Sequence, residues 1–411
     1  GGGGDVAGGG DGLPTDALRL DASATATAAT PHPVRMADHA SANLHTGSSD
    51  ALTPTGGSAG RRVHGRAVHS GRSGSLIHVA FMSVGPPAQT ESTIAIIRNV
   101  ESLASHAEDI RYHLVVDRSP ASLRLSFSRR ASWHGIPLNR LLLHSVAEIE
   151  PAAAKLHARL SASATGPGPI YLWKPLFHLV LPLDITKVIV LDTDLFLFSD
   201  IGRLWRHFRS FGPSELIGVM REQCPSYQEV RALGGVGYNG GVQLLDLSAM
   251  RASSAYAAAV ETYAAARWGK RTSAGAPPMK DNGIGWLGDQ TLYSWMSVNS
   301  TGYRGFFHDL PCGWNRQIGT HMAGWPHFWR EHACAIPCRL LHGNYVAHKQ
   351  FMEALKADPT GASCGAVVAR FRRTDPVFRD GTADARMLDI VGSTCCPTNA
   401  TRTRERARHH A

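Results

Sequence analysis

The run Lys187-Val-Ile-Val-Leu-Asp-Thr-Asp-Leu-Phe-Leu-Phe198 places two carboxylates, Asp192 and Asp194, in the middle of a stretch of large apolar residues. The stretch reads as a buried strand. In extended backbone, residues i and i+2 point the same way, so both acids are expected to face one spot. Burying two unpaired like charges is costly, and a cation is expected to share that spot. Two hard oxygen donors at a strand end suit Mg²⁺ or Mn²⁺ carrying a phosphate-containing ligand. A D-x-D pair also occurs at ordinary strand-to-turn junctions, so the neighbouring segments must decide between the two.

Those segments alternate in type. Leu76 to Val84 is a short apolar run ending at Gly85-Pro86-Pro87. Ile94, Ile97, Val100 and Leu103 then recur at helical spacing, and Tyr112 to Asp117 reads as the next strand. Strand, helix and strand within roughly 40 residues make a βαβ unit and imply a mostly parallel sheet. Helices are predicted from Leu172 to Leu181, from Ile201 to Phe208 and from Ala255 to Trp268; strands are predicted at Leu216–Met220 and Gly241–Leu247. Residues 270–285 read as a Gly/Pro loop long enough to serve as a flap. The expected fold class is α/β, a single mostly parallel mixed sheet flanked by helices, with ligand chemistry at the carboxyl ends of its strands.

Composition divides the 411 residues into three parts. Residues 1–74 are rich in Gly, Ala, Ser, Thr and Pro and hold no apolar run, too little to offset the entropy of ordering; a disordered stem or tail is expected there. Residues 75–374 are the expected globular domain, and 375–411 a basic tail. The net charge of +9 sits partly at the ends, at Arg61, Arg62, Arg66 and Arg72 and at Arg402, Arg404, Arg406 and Arg408. No basic stripe interleaved with aromatics appears, so nucleic acid is not an expected partner. No apolar run approaches the roughly 20 residues of a bilayer span; a membrane is expected only through an anchor upstream of Gly1.

All seven cysteines lie in the second half of the chain, and the odd count leaves at least one unpaired within it. Disulfides formed in an oxidising compartment are expected, with Cys312 joined to Cys334 or Cys338. Asn299-Ser-Thr and Asn399-Ala-Thr would accept N-glycans there.

Four clusters are candidates to surround the acidic pair. Lys174, opening Lys174-Pro-Leu-Phe-His, has the charge to neutralise a phosphate, although a surface lysine on an amphipathic helix reads the same way. Tyr238-Asn239-Gly240-Gly241 sets an amide beside two glycines that allow close backbone approach, or is a plain turn. Asp289 and Gln290 open a predicted helix, where an acid also serves as a cap. His342 ends a short predicted strand, with His348 and Lys349 beyond it; a neutral imidazole there would make a third metal ligand, or a satisfied structural residue.

Taken in order, the blocks His78-Val-Ala, Val188-Ile-Val-Leu-Asp-Thr-Asp, Tyr238-Asn-Gly-Gly-Val, Gly288-Asp-Gln, Leu310-Pro-Cys-Gly-Trp-Asn315 and Leu341-His-Gly-Asn344 resemble glycosyltransferase family 8. Its glucoside xylosyltransferases and the xylosyltransferase domain of the LARGE-type enzymes look most similar. The resemblance spans roughly Ile77 to Leu355 and implies a GT-A fold with a Rossmann-like nucleotide-binding half. It also implies a UDP-sugar donor (UDP-xylose by similarity), a glycan or glycoprotein acceptor, Mn²⁺ or Mg²⁺, retention of anomeric configuration, and residence in the Golgi lumen. By motif, Asp192, Asp194 and His342 would hold the metal. Val79, Ala80, Lys174, Asp192, Asn239, Gly240, Asp289, Gln290, Gly343 and Lys349 would line the donor site, with Asp289 and Gln290 facing the reacting carbon. The family's Asp-Gln-Asp stands here as Asp289-Gln290-Thr291, a departure that leaves open a non-catalytic sugar-binding relative. An aspartate-nucleophile phosphatase also carries D-x-D after an apolar run, but wants Thr or Val where Phe196 stands.

Overall fold

A computed structural model describes residues 76–84, 87–117, 135–162, 169–225, 227–265 and 287–396. The expected stem over 1–74, the flap over 270–285, the arginines at 402–408 and the Asn399 sequon lie outside them. Seven strands form the main sheet in the order β3-β2-β1-β4-β7-β6-β8. They are β1 (Ile77–Ser83), β2 (Ile110–Val116), β3 (Leu141–Ser145), β4 (Lys187–Leu191), β6 (Ile217–Arg221), β7 (Tyr238–Asp246) and β8 (Phe307–Asp309). A second sheet joins β5 (Leu195–Leu197), β10 (Leu340–His342) and β9 (Arg316–Gln317) in the order β5-β10-β9. In the main sheet β7 alone runs antiparallel to its neighbours, pairing Leu191 of β4 with Val242.

Period-two alternation explains the layers. Val79, Phe81, Ile189, Leu191, Val242 and Leu244 face one side, where Ile94, Ile97 and Val100 of the helix Pro87–Leu103 cover them. Ala80, Met82, Val188, Val190 and Leu245 face the other, against Leu172, Leu176, Tyr256 and Tyr293. With both faces covered, the central strands read as near-continuous apolar runs.

Three expectations are corrected. The helix predicted over Leu172–Leu181 is a 3-10 stretch, Pro169–Leu176, followed by one turn, Phe177–Val180; Pro175 lacks the amide that a longer α-helix would use. Asp192 and Asp194 are not on a strand. β4 stops at Leu191, Asp192-Thr193-Asp194 turns, and β5 begins at Leu195 in the second sheet. The acids therefore converge because the chain changes sheet, not because of strand alternation.

The domain also does not end at Thr374. Helix Cys364–Thr374 is followed by helix Ala383–Thr394, whose Met387, Leu388 and Val391 pack with Phe351, Phe371 and Phe378 into a third core behind the small sheet. The Thr382 hydroxyl caps the last helix by accepting from the Ala385 amide. Disulfides Cys338–Cys395 and Cys364–Cys396 tie the end of that helix to β10 and to helix Cys364–Thr374. The third, Cys312–Cys334, is one of the two pairings expected. Cys224 is free and buried. Among the described residues no helix is long and apolar enough to cross a membrane.

Candidate metal and donor site

The Asp192–Asp194 turn stands at the carboxyl end of β4, beside the amino end of β7. The Asp192 amide donates to the Gly241 carbonyl at 2.9 Å, and the Gly343 amide to the Asp194 carbonyl at 2.9 Å. The turn is thus pinned between the two sheets. Asp192, Asp194 and His342 each present one ligand atom within 4.8 Å of the others. The two glycines of β7 make this possible. A Cβ on Gly240 would lie 2.5 Å from Asp289 Oδ2, and one on Gly241 would lie 2.3 Å from His342 Cε1. The motif read as either a turn or a ligand approach is a strand whose bare backbone admits an acid on one face and an imidazole on the other.

On the Gly240 face, Lys174 is 1% exposed. Its ammonium reaches Asp192 Oδ1 at 2.6 Å, Asp289 Oδ2 at 3.3 Å and the Gly240 carbonyl at 3.0 Å, three acceptors for three N–H groups. Burial by itself would lower its pKa; the combined pull of Asp192 and Asp289 holds it above the ordinary lysine value. Burial raises Asp289 to about 6, with Lys174 opposing the shift and Asp192 adding to it. Asp289 also accepts from the Gln243 amide. It stands at the first helical position of Asp289–Met296, and Gly288 before it makes no side-chain cap. The Tyr171 ring lies 5.3 Å from the Lys174 ammonium, and burial pushes its phenol up to about 12.

On the Gly241 face, His342 Nε2 lies 3.3 Å from Asp194 Oδ1, and Nδ1 lies 2.9 Å from Asn315 Oδ1. Burial works against the imidazolium, but Asp194 and Asp192 outweigh it and raise the pKa of His342. Lost hydration works against the Asp194 carboxylate although its side chain stays 47% exposed, and His342 and Lys356 outweigh that and hold its pKa down to about 2. Lys356 donates to the Thr193 carbonyl at 2.6 Å, so the acidic turn has a lysine on its outer side.

Not every expected residue is brought here. The side chains of Val79 and Ala80 are fully buried in the two main cores, because β1 continues to Ser83 before reaching the rim. Lys349 points to solvent, 72% exposed, at 4.0 Å from Glu353. Lys356, two helical turns later, is the lysine beside the acids. Gly343 serves close packing; its Cβ would fall 2.4 Å from Met352 Cγ. Asn239 is 3% exposed, and its Oδ1 already accepts from the Gly241 amide and from Asn315, so it ties neighbouring elements together. Gln290 is half-buried beside Gly240, whose amide donates to its Oε1 at 3.3 Å. Asn315, Glu222 and Gln243 had no assigned role in the sequence. Of these, Asn315 and Gln243 lie in or beside motif blocks that point to them.

No family model matches the chain. Human xyloside xylosyltransferase 1 is 29% identical over 201 residues, covering 43% of this chain and 46% of that protein. Zebrafish xylosyl- and glucuronyltransferase LARGE2s is 26% identical over 258 residues, covering 60% and 30%. The chain thus spans less than half the length of either relative. The crystal structure of mouse xyloside xylosyltransferase 1 in its apo form superimposes with a TM-score of 0.50 at 22% identity, over 65% of this chain and 97% of that one. The chain is a homologue of the xyloside xylosyltransferases and of the LARGE xylosyl- and glucuronyltransferases, built on the GT-A glycosyltransferase fold.

Proposed function

We propose that this protein is a metal-dependent, retaining glycosyltransferase that moves xylose from UDP-xylose to a glycan or glycoprotein acceptor in the Golgi lumen. The observation that carries this reading is the convergence of Asp192, Asp194 and His342 at the rim of a GT-A sheet. The donor set fits a divalent cation: two carboxylates, plus an imidazole whose Nδ1 is engaged by an amide oxygen, leaving the Nε2 lone pair directed at the acids. Mn²⁺ is the preferred ion, Mg²⁺ the alternative, and when bound it would draw charge from the departing diphosphate.

The chain's own residues divide the remaining work. Lys174 has all three of its hydrogens occupied by protein acceptors, so we assign it to fixing Asp192 and Asp289 rather than to phosphate. Lys356 takes the donor-site position first expected of Lys349 and is assigned to the diphosphate. The bond from the anomeric carbon to the diphosphate breaks, the bond to the acceptor oxygen forms on the same face, and the acceptor's proton passes to the leaving oxygen. Gln290 carries no nucleophilic charge, and Asp289 is engaged by Lys174 and Gln243. Both are therefore assigned to stabilising positive charge on the sugar, not to covalent attack. Three disulfides among the described residues and the exposed Asn299 sequon support a lumenal site.

A panel of UDP-sugars assayed for UDP release, with Mn²⁺ and with EDTA, tests the reading. Release is expected with UDP-xylose and is expected to stop with chelator. Turnover indifferent to EDTA, or none with any donor, overturns it.

A further inference from the structure

Behind His342 runs a hydrogen-bonded chain of four side chains drawn from four separate parts of the fold. His342 Nδ1 meets Asn315 Oδ1 at 2.9 Å, Asn315 Nδ2 donates to Asn239 Oδ1 at 2.7 Å, and Asn239 Nδ2 donates to Glu222 Oε2 at 2.9 Å. The four residues are 4%, 0%, 3% and 5% exposed, so water does not compete for these bonds. Two backbone amides fix the polarity of the chain. The Gly241 amide donates to Asn239 Oδ1 at 3.0 Å, and the Cys224 amide donates to Glu222 Oε1 at 2.8 Å. An amide oxygen that receives a backbone N–H cannot be flipped without loss. Asn239 must therefore present its nitrogen to Glu222, and Asn315 its nitrogen to Asn239 and its oxygen to His342. The neutral imidazole is left one tautomer, with the proton on Nδ1 and the lone pair on Nε2, the nitrogen that faces Asp194. Asn315 is itself clamped, since its carbonyl accepts from Gln223 Nε2 at 3.3 Å. Glu222 Oε2 takes a second bond, from Gln290 Nε2 at 2.8 Å.

We propose that Glu222 is a positioning residue for the cation site, acting through Asn239 and Asn315 to set the tautomer and orientation of His342, and through Gln290 to hold the donor-side amide in the same frame. It touches neither the acid pair nor His342. Its influence is that of an outer carboxylate that orients a ligating imidazole, here transmitted over two amides instead of one bond. The inference rests on reading Asp192, Asp194 and His342 as a divalent-cation site.

The test uses Glu222→Gln in the full chain, with Mn²⁺ affinity measured by calorimetry in the absence of any donor. One amide hydrogen of the new Gln would face a donor, so the relay is expected to break. Mn²⁺ binding should then weaken about 10-fold or more, and Asn315→Ala, which cuts the same chain nearer His342, should weaken it similarly. Unchanged affinity in a Glu222→Gln protein with native circular dichroism overturns the relay while leaving the cation site standing. Wild-type protein that binds no Mn²⁺ removes both. A second measurement, made on the wild type, is ¹⁵N-histidine NMR at alkaline pH without added metal, where no ligation at Nε2 fixes the tautomer. The His342 signal, identified by its loss in His342→Gln, should report the Nδ1–H tautomer; an Nε2–H tautomer overturns the proposal.

Discussion

The two faces of the Gly240-Gly241 pair handle charge in opposite ways. On the Gly240 face a buried ammonium is enclosed by Asp192, Asp289 and a carbonyl, with Asp289 2% exposed. On the Gly241 face a buried imidazole meets Asp194, whose side chain is 47% exposed. The first face balances its charge inside the protein, so Lys174 belongs to the stability of the fold even though Asp289 beside it is assigned to the sugar. The second turns an acid outward with an imidazole nitrogen directly behind it, where a ligand can reach both. Asp192 is shared, bonded to Lys174 while completing the triad with His342. Adjacent residues of one strand thus separate a charge set balanced within the protein from one open to a ligand.

The largest expected effect falls on the self-compensated face. Lys174→Met leaves two acids at a buried site with no cation, and should lower stability by about 3–5 kcal/mol, read as a shift in the urea midpoint. A native midpoint would erase the distinction between the faces. Asp194→Asn should do the reverse, leaving the midpoint nearly unchanged while Mn²⁺-dependent UDP release falls about 100-fold or more.

The glycines sharpen the comparison. Gly240→Ala and Gly241→Ala each force a methyl into a filled space and should each cost about 1–3 kcal/mol. Only Gly241→Ala, whose methyl meets the His342 ring, should also weaken Mn²⁺ binding measured without donor. Equal weakening in both would mean that the faces are not separate.

The last effect is absent near neutral pH and lies away from the site. His78, His113 and His144 form a ladder across β1, β2 and β3, with ring nitrogens 2.9 Å apart at each step. Burial first, then the charges of His144 and His78, lower His113 to about 3. Burial also lowers His78, with Asp184 opposing and Arg111 adding, and lowers His144. A group whose folded pKa is depressed contributes stability in full above its unfolded value of 6.5 and loses it as pH falls toward 3. His113 alone should therefore remove about 1.4 kcal/mol per pH unit between pH 6.5 and about 3. His113→Leu should flatten the acid limb of a melting-temperature profile without altering the contrast between the two faces; an unchanged limb would show that the ladder does not set it.

Much of this arrangement is legible in the chain. The central strands are apolar runs because both of their faces are covered, and the acids in β4's continuation stand out against that background. Motif order pointed to His342, Lys174, Asp289 and Gln290. What escaped is what depends on long-range closure. Nothing local says that Asp192 and Asp194 straddle a change of sheet, that Lys356 instead of Lys349 turns toward them, or that Glu222 reaches His342 through two asparagines far apart in sequence. The last helix was hidden by its arginine-rich surroundings, although Met387, Leu388 and Val391 recur at helical spacing and Cys395 and Cys396 await partners.

The reversed direction of β7 has a practical consequence. Its first residues, not its last, stand where β1 and β4 terminate, so the connection that leads from β6 into Tyr238 is delivered straight to the reaction rim. The stretch that leaves Asp246 emerges on the far edge. Changes in the β6–β7 connection that keep Glu222 in place are thus the natural route to altered sugar preference, whereas a fluorophore or affinity handle placed near Ser253 would ride on the protein without disturbing its chemistry.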